Sequence, residues 1–220
     1  MTITLRPGST VMFTGDSITD GARLASEDGL GFGYPPRIAD EWGRRHPDRP
    51  VTWLNTGIAG HRVSDLEARW QADVLDARAD VVSVLVGVND AGWQTTAPDG
   101  RPVPAAEFAA GYDRLLAPLA AAGTELILVE PFLLPVGGTF RAGHATVDDE
   151  VRKLWRADLD PKIEAVRELA RTYGARLLAA DAMFAELSTR TDPEQWSADG
   201  VHPTAAGHAA LASAWLRLVR

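Results

Sequence analysis

The run Val81-Val-Ser-Val-Leu-Val86 constrains this chain more than any other stretch. It is apolar and β-branched almost throughout, so a strand formed there has no face for water and needs cover on both sides. Strands of that kind belong to parallel sheets held between helices. Val11-Met-Phe13, residues 51–55, residues 125–129 and the short stretch 175–178 read as further strands. Between them apolar residues recur at helical spacing: Leu66, Trp70 and Val74, then Phe108, Tyr112, Leu115, Leu116 and Leu119. Pro35-Pro36 opens a helix to Arg45, since proline is tolerated in a first turn. Ser64 and Glu67 have capping-box spacing and predict a helix from there to about residue 78. A long apolar periodicity from 147 to 173 carries Val151, Leu154, Trp155, Leu159, Ile163, Val166 and Leu169, and Pro161 is expected to kink or divide it. A brief helix over 182–189 and a final one over 203–218 complete the pattern, which predicts an α/β fold with a mainly parallel sheet. No repeat or linker interrupts residues 1–220, so a single domain is expected.

Composition narrows the function. A formal net charge of -8 argues against nucleic acid or an anionic membrane surface as the main partner and suits a neutral small molecule. The absence of cysteine removes disulfides, thiolate nucleophiles and Cys-ligated zinc. No His or carboxylate grouping has metal-ligand spacing, so neither a metal nor a cofactor is expected. The first residues lack a basic region followed by an apolar core, and no apolar run approaches the ~20 residues of a membrane span. A cytoplasmic enzyme or binder is the expectation.

Chemistry-bearing groups gather at strand ends, where open α/β sheets bind their ligands. Gly15-Asp16-Ser17 follows the first strand, Asn55-Thr-Gly57-Ile-Ala-Gly60 the second, and Gly87-Val-Asn89-Asp90 the third; Asp199-Gly-Val-His202-Pro203 precedes the last helix. Taken alone, Ser17 is a helix cap as readily as a nucleophile. A serine hydroxyl reacts only when a base takes its proton and a third group orients that base. His202 can be the base, and a turn at Gly200 can bring Asp199 to it. Backbone N–H groups of Ser17 and Gly57, with the Asn89 amide, can converge on an oxyanion.

With these four blocks in this order the chain resembles the SGNH hydrolases, also called GDSL-like esterases. The resemblance covers nearly the whole chain. It implies a three-layer α/β/α sandwich, flavodoxin-like, around a parallel sheet of about five strands. It also implies Ser17 as nucleophile, His202 as base, Asp199 as orienting acid, and Ser17, Gly57 and Asn89 as the oxyanion hole. Ile18 stands where the best-known members have leucine, a conservative change, and no Gly-x-Ser-x-Gly elbow surrounds Ser17. Gly15-Asp-Ser-Ile-Thr-Asp20, Arg62-Val-Ser-Asp-Leu66, Trp70 and Asp199-Gly-Val-His-Pro-Thr204 look most like SGNH acetyl esterases that deacetylate xylo-oligosaccharides and related sugars. The chain departs from them at His61, where asparagine is usual, and in the wider spacing of Trp93 from Asn89-Asp90.

The expected partner is therefore a small ester, an acetylated saccharide first, with self-association into a homo-oligomer also expected. Two rivals stay open: a short-chain lipase or thioesterase on this scaffold, and a non-catalytic sugar- or nucleotide-binding module. Asp16, His61, Trp93 and Trp196 are the candidate substrate contacts. Their alternatives are a turn-fixing acid for Asp16, a solvated loop residue for His61 and packing anchors for the tryptophans. Asp90 is expected to order its own turn. The loops around Phe32, His61, Trp93 and Phe140 hold the choice of substrate. A neutral His202 predicts a rate that rises across roughly pH 6 to 7.5.

Overall fold

A computed structural model describes residues 2–92, 101–138, 140–142 and 145–220. The strands β1 (Thr10–Gly15), β2 (Thr52–Asn55), β3 (Val81–Leu85), β4 (Glu125–Val129) and β7 (Arg176–Leu178) form one sheet. Its order is β2-β1-β3-β4-β7, and every neighbouring pair is parallel. The apolar run read as a central strand is β3, paired on both sides and buried at all its positions.

Alternation along the strands sends side chains to two cores. Val11, Phe13, Leu85, Ile127 and Leu178 face α2 (Tyr34–Arg45), α6 (Ala180–Ser188) and α7 (Ala205–Leu216). Met12, Val82, Val84, Leu126 and Leu128 face α3 (Val63–Trp70), α4 (Ala105–Ala121) and α5 (Asp149–Thr172). The result is the expected three-layer sandwich. Leu66 and Trp70 of α3 and Phe108 to Leu119 of α4 pack where their spacing predicted. On the opposite face Trp215 is fully buried, its ring 5.4 Å from that of Phe13, and its indole N–H finds Ser83 Oγ at 3.0 Å. That bond satisfies the lone polar position of β3, which would otherwise be costly to bury.

Four local readings change. Pro161 lies inside α5, which runs undivided. The ring removes one backbone donor, but burial of Leu159, Ile163 and Val166 on either side holds the helix to the core, and Lys162 Nζ reinforces the turn by donating to the Asp158 carbonyl at 3.1 Å. Leu154 of the same periodicity is exposed. α3 begins at Val63, and its cap lies two residues before the proposed Ser64: Arg62 is the N-cap residue, and its N–H donates to Asp65 Oδ2 at 2.8 Å. Finally, the stretch read as a long loop contains an antiparallel pair, β5 (Phe140–Ala142) with β6 (Ala145–Val147). Among the described residues no helix is long and apolar enough to cross a membrane.

Candidate active site

At the carboxyl end of β1 the chain turns through Asp16 into a helix of four residues, α1 (Ser17–Asp20), with Ser17 at its first position. Asp16 N–H reaches Leu85 O at 3.3 Å, and its Oδ1 accepts from Ile18 N–H at 3.0 Å. Both bonds fix the serine over the end of the sheet. Asp16 itself is 1% exposed and has no surface to offer a ligand, so it holds the turn and is no substrate contact. Its Oδ2 lacks a partner among the described residues. Burial pushes the carboxyl up to about 7, against the pull of the Ile18 N–H and of His202.

Ser17 Oγ lies 3.0 Å from His202 Nε2, and His202 Nδ1 lies 2.7 Å from Asp199 Oδ2. The other Asp199 oxygen accepts from the N–H groups of Val201 at 2.9 Å and His202 at 2.7 Å, so the acid also shapes the turn that carries the base. Sequence reasoning missed Ser197, whose hydroxyl is 3.1 Å from Asp199 Oδ1 and 2.9 Å from the His202 carbonyl oxygen. Partial burial opposes ionisation of Asp199, but the His202 ring and the two N–H donors outweigh it and hold the carboxyl below its ordinary range. His202 moves the opposite way: the bond from Asp199 raises it above the ordinary 6.5, with burial working against the shift. The protonated ring is thus favoured, and the rise in rate with pH is expected on the alkaline side of 6.5. Profiles of kcat/KM between about pH 5 and 9 test this, and a midpoint at or below the ordinary imidazole value would contradict it.

The oxyanion donors need one correction. The Gly57 N–H, expected to point at the site, donates to Asn55 Oδ1 at 2.9 Å. Gly57 is small for another reason: a Cβ there would sit 2.5 Å from Asp20 N, where the turn presses on α1. The N–H groups of Ser17 and Gly60 make no hydrogen bond among the described residues. Gly60 closes the same Asn55–Gly60 turn, but nothing in the sequence shows that the Asn55 side chain engages Gly57. Asn89 is 2% exposed at the end of β3, and its Nδ2 donates to the His61 carbonyl at 3.0 Å. One hydrogen of that amide remains for a ligand.

Long side chains that the sequence did not single out hold this turn. Arg69 Nη1 donates to the Thr56 carbonyl at 2.7 Å, and Arg23 Nε to that of Gly57 at 2.7 Å. Arg69 Nε also donates to His61 Nδ1 at 3.2 Å, and partial burial with this guanidinium holds His61 below its ordinary value, hence neutral. The His61 carbonyl is bonded into the site by Asn89 Nδ2. Asp90 does not order its own turn; it is fully buried and its Oδ1 accepts from Val63 N–H at 3.3 Å, tying α3 to the end of β3. Trp196 is partly buried against the core, and its backbone carbonyl receives the Thr204 N–H at 2.8 Å as α7 begins. Trp93 lies outside the described residues. No group of three or more His, Asp or Glu residues among the described ones could hold a metal ion.

A parallel sheet that delivers a serine to a histidine–aspartate pair places the chain among the serine hydrolases in architecture. It belongs to the GDSL-like lipase/acylhydrolase family, whose model matches residues 13–210. It is 30% identical over 217 residues to an acetylxylan esterase of Geobacillus stearothermophilus, covering 96% of this chain and 93% of that one. The crystal structure of an acetylxylan esterase from that organism, Axe2, superposes with a TM-score of 0.82 at 29% identity over 98% of both chains. Variants described as catalytic mutants, with a serine or a histidine of Axe2 replaced by alanine, superpose with TM-scores of 0.83 and 0.82. LAE5, an alpha/beta hydrolase enzyme from the metagenome of Lake Arreo, gives a TM-score of 0.82 at 29% identity over 97% of this chain and 95% of its own.

Proposed function

We propose that this protein is a serine esterase that removes O-acetyl groups from xylo-oligosaccharides or related sugars. The observation that carries the reading is the unbroken line from Ser17 Oγ through the His202 ring to Asp199 Oδ2. His202 Nε2 takes the Ser17 proton as Oγ attacks the acetyl carbonyl carbon. The oxygen that becomes negative is received by the Ser17 and Gly60 N–H groups and the remaining Asn89 hydrogen. On collapse the C–O bond to the sugar breaks, and the alkoxide leaves with the proton from His202. Water then gives its proton to His202 and attacks the acetyl-Ser17 carbonyl, releasing acetate and restoring the serine. Asp199 keeps the ring proton on Nδ1 and stabilises the imidazolium of each step.

The choice of acetyl and of a sugar rests on likeness to acetylxylan esterases across almost the full length. Acetate release from acetylated xylobiose, compared with hydrolysis of longer acyl esters and acyl-CoA, tests it. The acetylated sugar is expected to give the highest kcat/KM. A preference for longer chains or thioesters would replace this reading with the lipase or thioesterase alternative, and no turnover of any ester would leave a binding module.

A further inference from the structure

The segment after α1 ends in an aromatic side chain that the fold turns outward. Phe32 is 63% exposed, although both its neighbours, Gly31 and Gly33, are buried. Its position relative to the nucleophile is set by two consecutive hydrogen bonds: Gly21 N–H donates to Ser17 O at 3.1 Å, and Phe32 N–H to Gly21 O at 2.8 Å. The loop cannot drift from this place easily. Asn55 Nδ2 ties the Leu30 carbonyl, at 2.9 Å, to the Thr19 carbonyl of α1, at 2.7 Å. Ser26 Oγ receives the Gly31 N–H at 2.8 Å, and Asp28 Oδ1 the Leu30 N–H at 2.9 Å. Gly31, with φ +83°, lies so close to α1 that a Cβ would be 2.5 Å from Asp20 O. A large ring is thus presented to water on a rigid support tied to the far end of the one-turn helix that begins at Ser17.

Phe32 forms one wall of an open groove of about 690 Å³ whose other walls include Ser26, Asp28, Arg37 and Asp40. Glu27, Asp28 and Asp40 outweigh Arg37, so the groove repels an anion. What it offers is a flat apolar ring, carboxylates that accept from hydroxyls and a guanidinium that donates to them. A sugar unit presents the complement, with C–H faces above and below the ring and hydroxyls around its edge. Burying a C–H face on Phe32 removes apolar area of both from water, while the edge keeps its hydrogen bonds. A fatty acyl chain would leave those charged walls unpaired.

We infer that the Phe32 groove is a subsite for the uncharged saccharide backbone that extends from the acetylated unit at Ser17. The inference rests on the reading of the enzyme as a sugar deacetylase and adds where the sugar chain lies. Its test uses Phe32→Ala and Phe32→Tyr, with two measurements. In the first, unsubstituted xylotetraose is titrated into the protein calorimetrically. Binding is expected to weaken about tenfold in Phe32→Ala and to return in Phe32→Tyr. In the second, kcat/KM on acetylated xylo-oligosaccharides is divided by kcat/KM on nitrophenyl acetate. That ratio is expected to fall about tenfold in Phe32→Ala, through KM. Equal binding and an equal ratio in wild type and Phe32→Ala would overturn the subsite and leave the esterase reading standing, as would a change in oligomeric state with no change in sugar binding. Xylotetraose bound through Phe32 without release of acetate from the acetylated sugar would keep the subsite and overturn the deacetylase reading.

Discussion

Asp199→Asn is expected to lower kcat on any ester by ~10⁴-fold while the protein stays folded. The two oxygens of Asp199 divide their work. Oδ1 accepts from Val201 N–H, His202 N–H and the Ser197 hydroxyl, and an asparagine can keep its oxygen in that place. Its NH₂ then occupies the Oδ2 position, 2.7 Å from His202 Nδ1, where it must donate. The ring proton is driven to Nε2, which faces Ser17 Oγ and can no longer accept its proton. The imidazolium also loses the negative charge beside it. Steady-state kinetics with nitrophenyl acetate measure the loss, and circular dichroism checks the fold. A fall of less than about tenfold would remove Asp199 from the mechanism.

In Asp16→Asn the stability relative to wild type is expected to rise by up to ~4 kcal/mol between about pH 4 and the range above pH 7, on top of a pH-independent cost of leaving the new NH₂ unpaired where Oδ2 has no partner among the described residues. The Asp16 carboxyl sits at about 7 in the folded chain, against an ordinary 3.8. The folded state therefore keeps a proton that the unfolded chain releases between those values. Stability contributed by the neutral acid is full below 3.8 and is lost as pH rises through the folded value. Asparagine keeps the oxygen that caps Ile18 and has no charge to bury. The charged and titratable groups around this carboxyl are His202, Asp90, Tyr34 and Tyr112. Asp90, raised to about 7 first by burial and in smaller part by the Asp16 charge, adds a slope of the same sign in wild type and variant, slightly smaller in the variant. Urea unfolding at an acid and an alkaline pH resolves the effect, and the same difference at both would contradict it. Because Asp16 raises His202, the acid limb of the rate profile should also move to lower pH in the variant.

The two effects bear on how much the amino-acid pattern revealed. β3 was legible because its run is apolar almost throughout, and the helices α3 and α4 because each carries one unambiguous hydrophobic period. Ser17, Asn89, Asp199 and His202 were legible because each chemistry-bearing type stands at a strand end or before a helix, in one order. Gly57 was misread for a reason that spacing cannot show: a side chain two residues earlier turns back and takes its N–H. Arg23, Arg69 and Ser197 were invisible because they act on carbonyls and oxygens that only the folded chain brings to them. The β5–β6 hairpin has strands of three residues, too short to display a period of two. Pro161 obeys its local cost, but tertiary burial along α5 outweighs it.

The acid and the base stand three residues apart on one self-bonded turn, whereas the nucleophile that meets them is 185 residues away in sequence. The histidine–aspartate pair can therefore persist in a partly opened chain, but the serine–histidine contact exists only while the first strand and the approach to the last helix are docked. Esterase turnover in this molecule is accordingly a gauge of whether the two ends of the chain are together. During denaturation it should vanish with the first event that parts them.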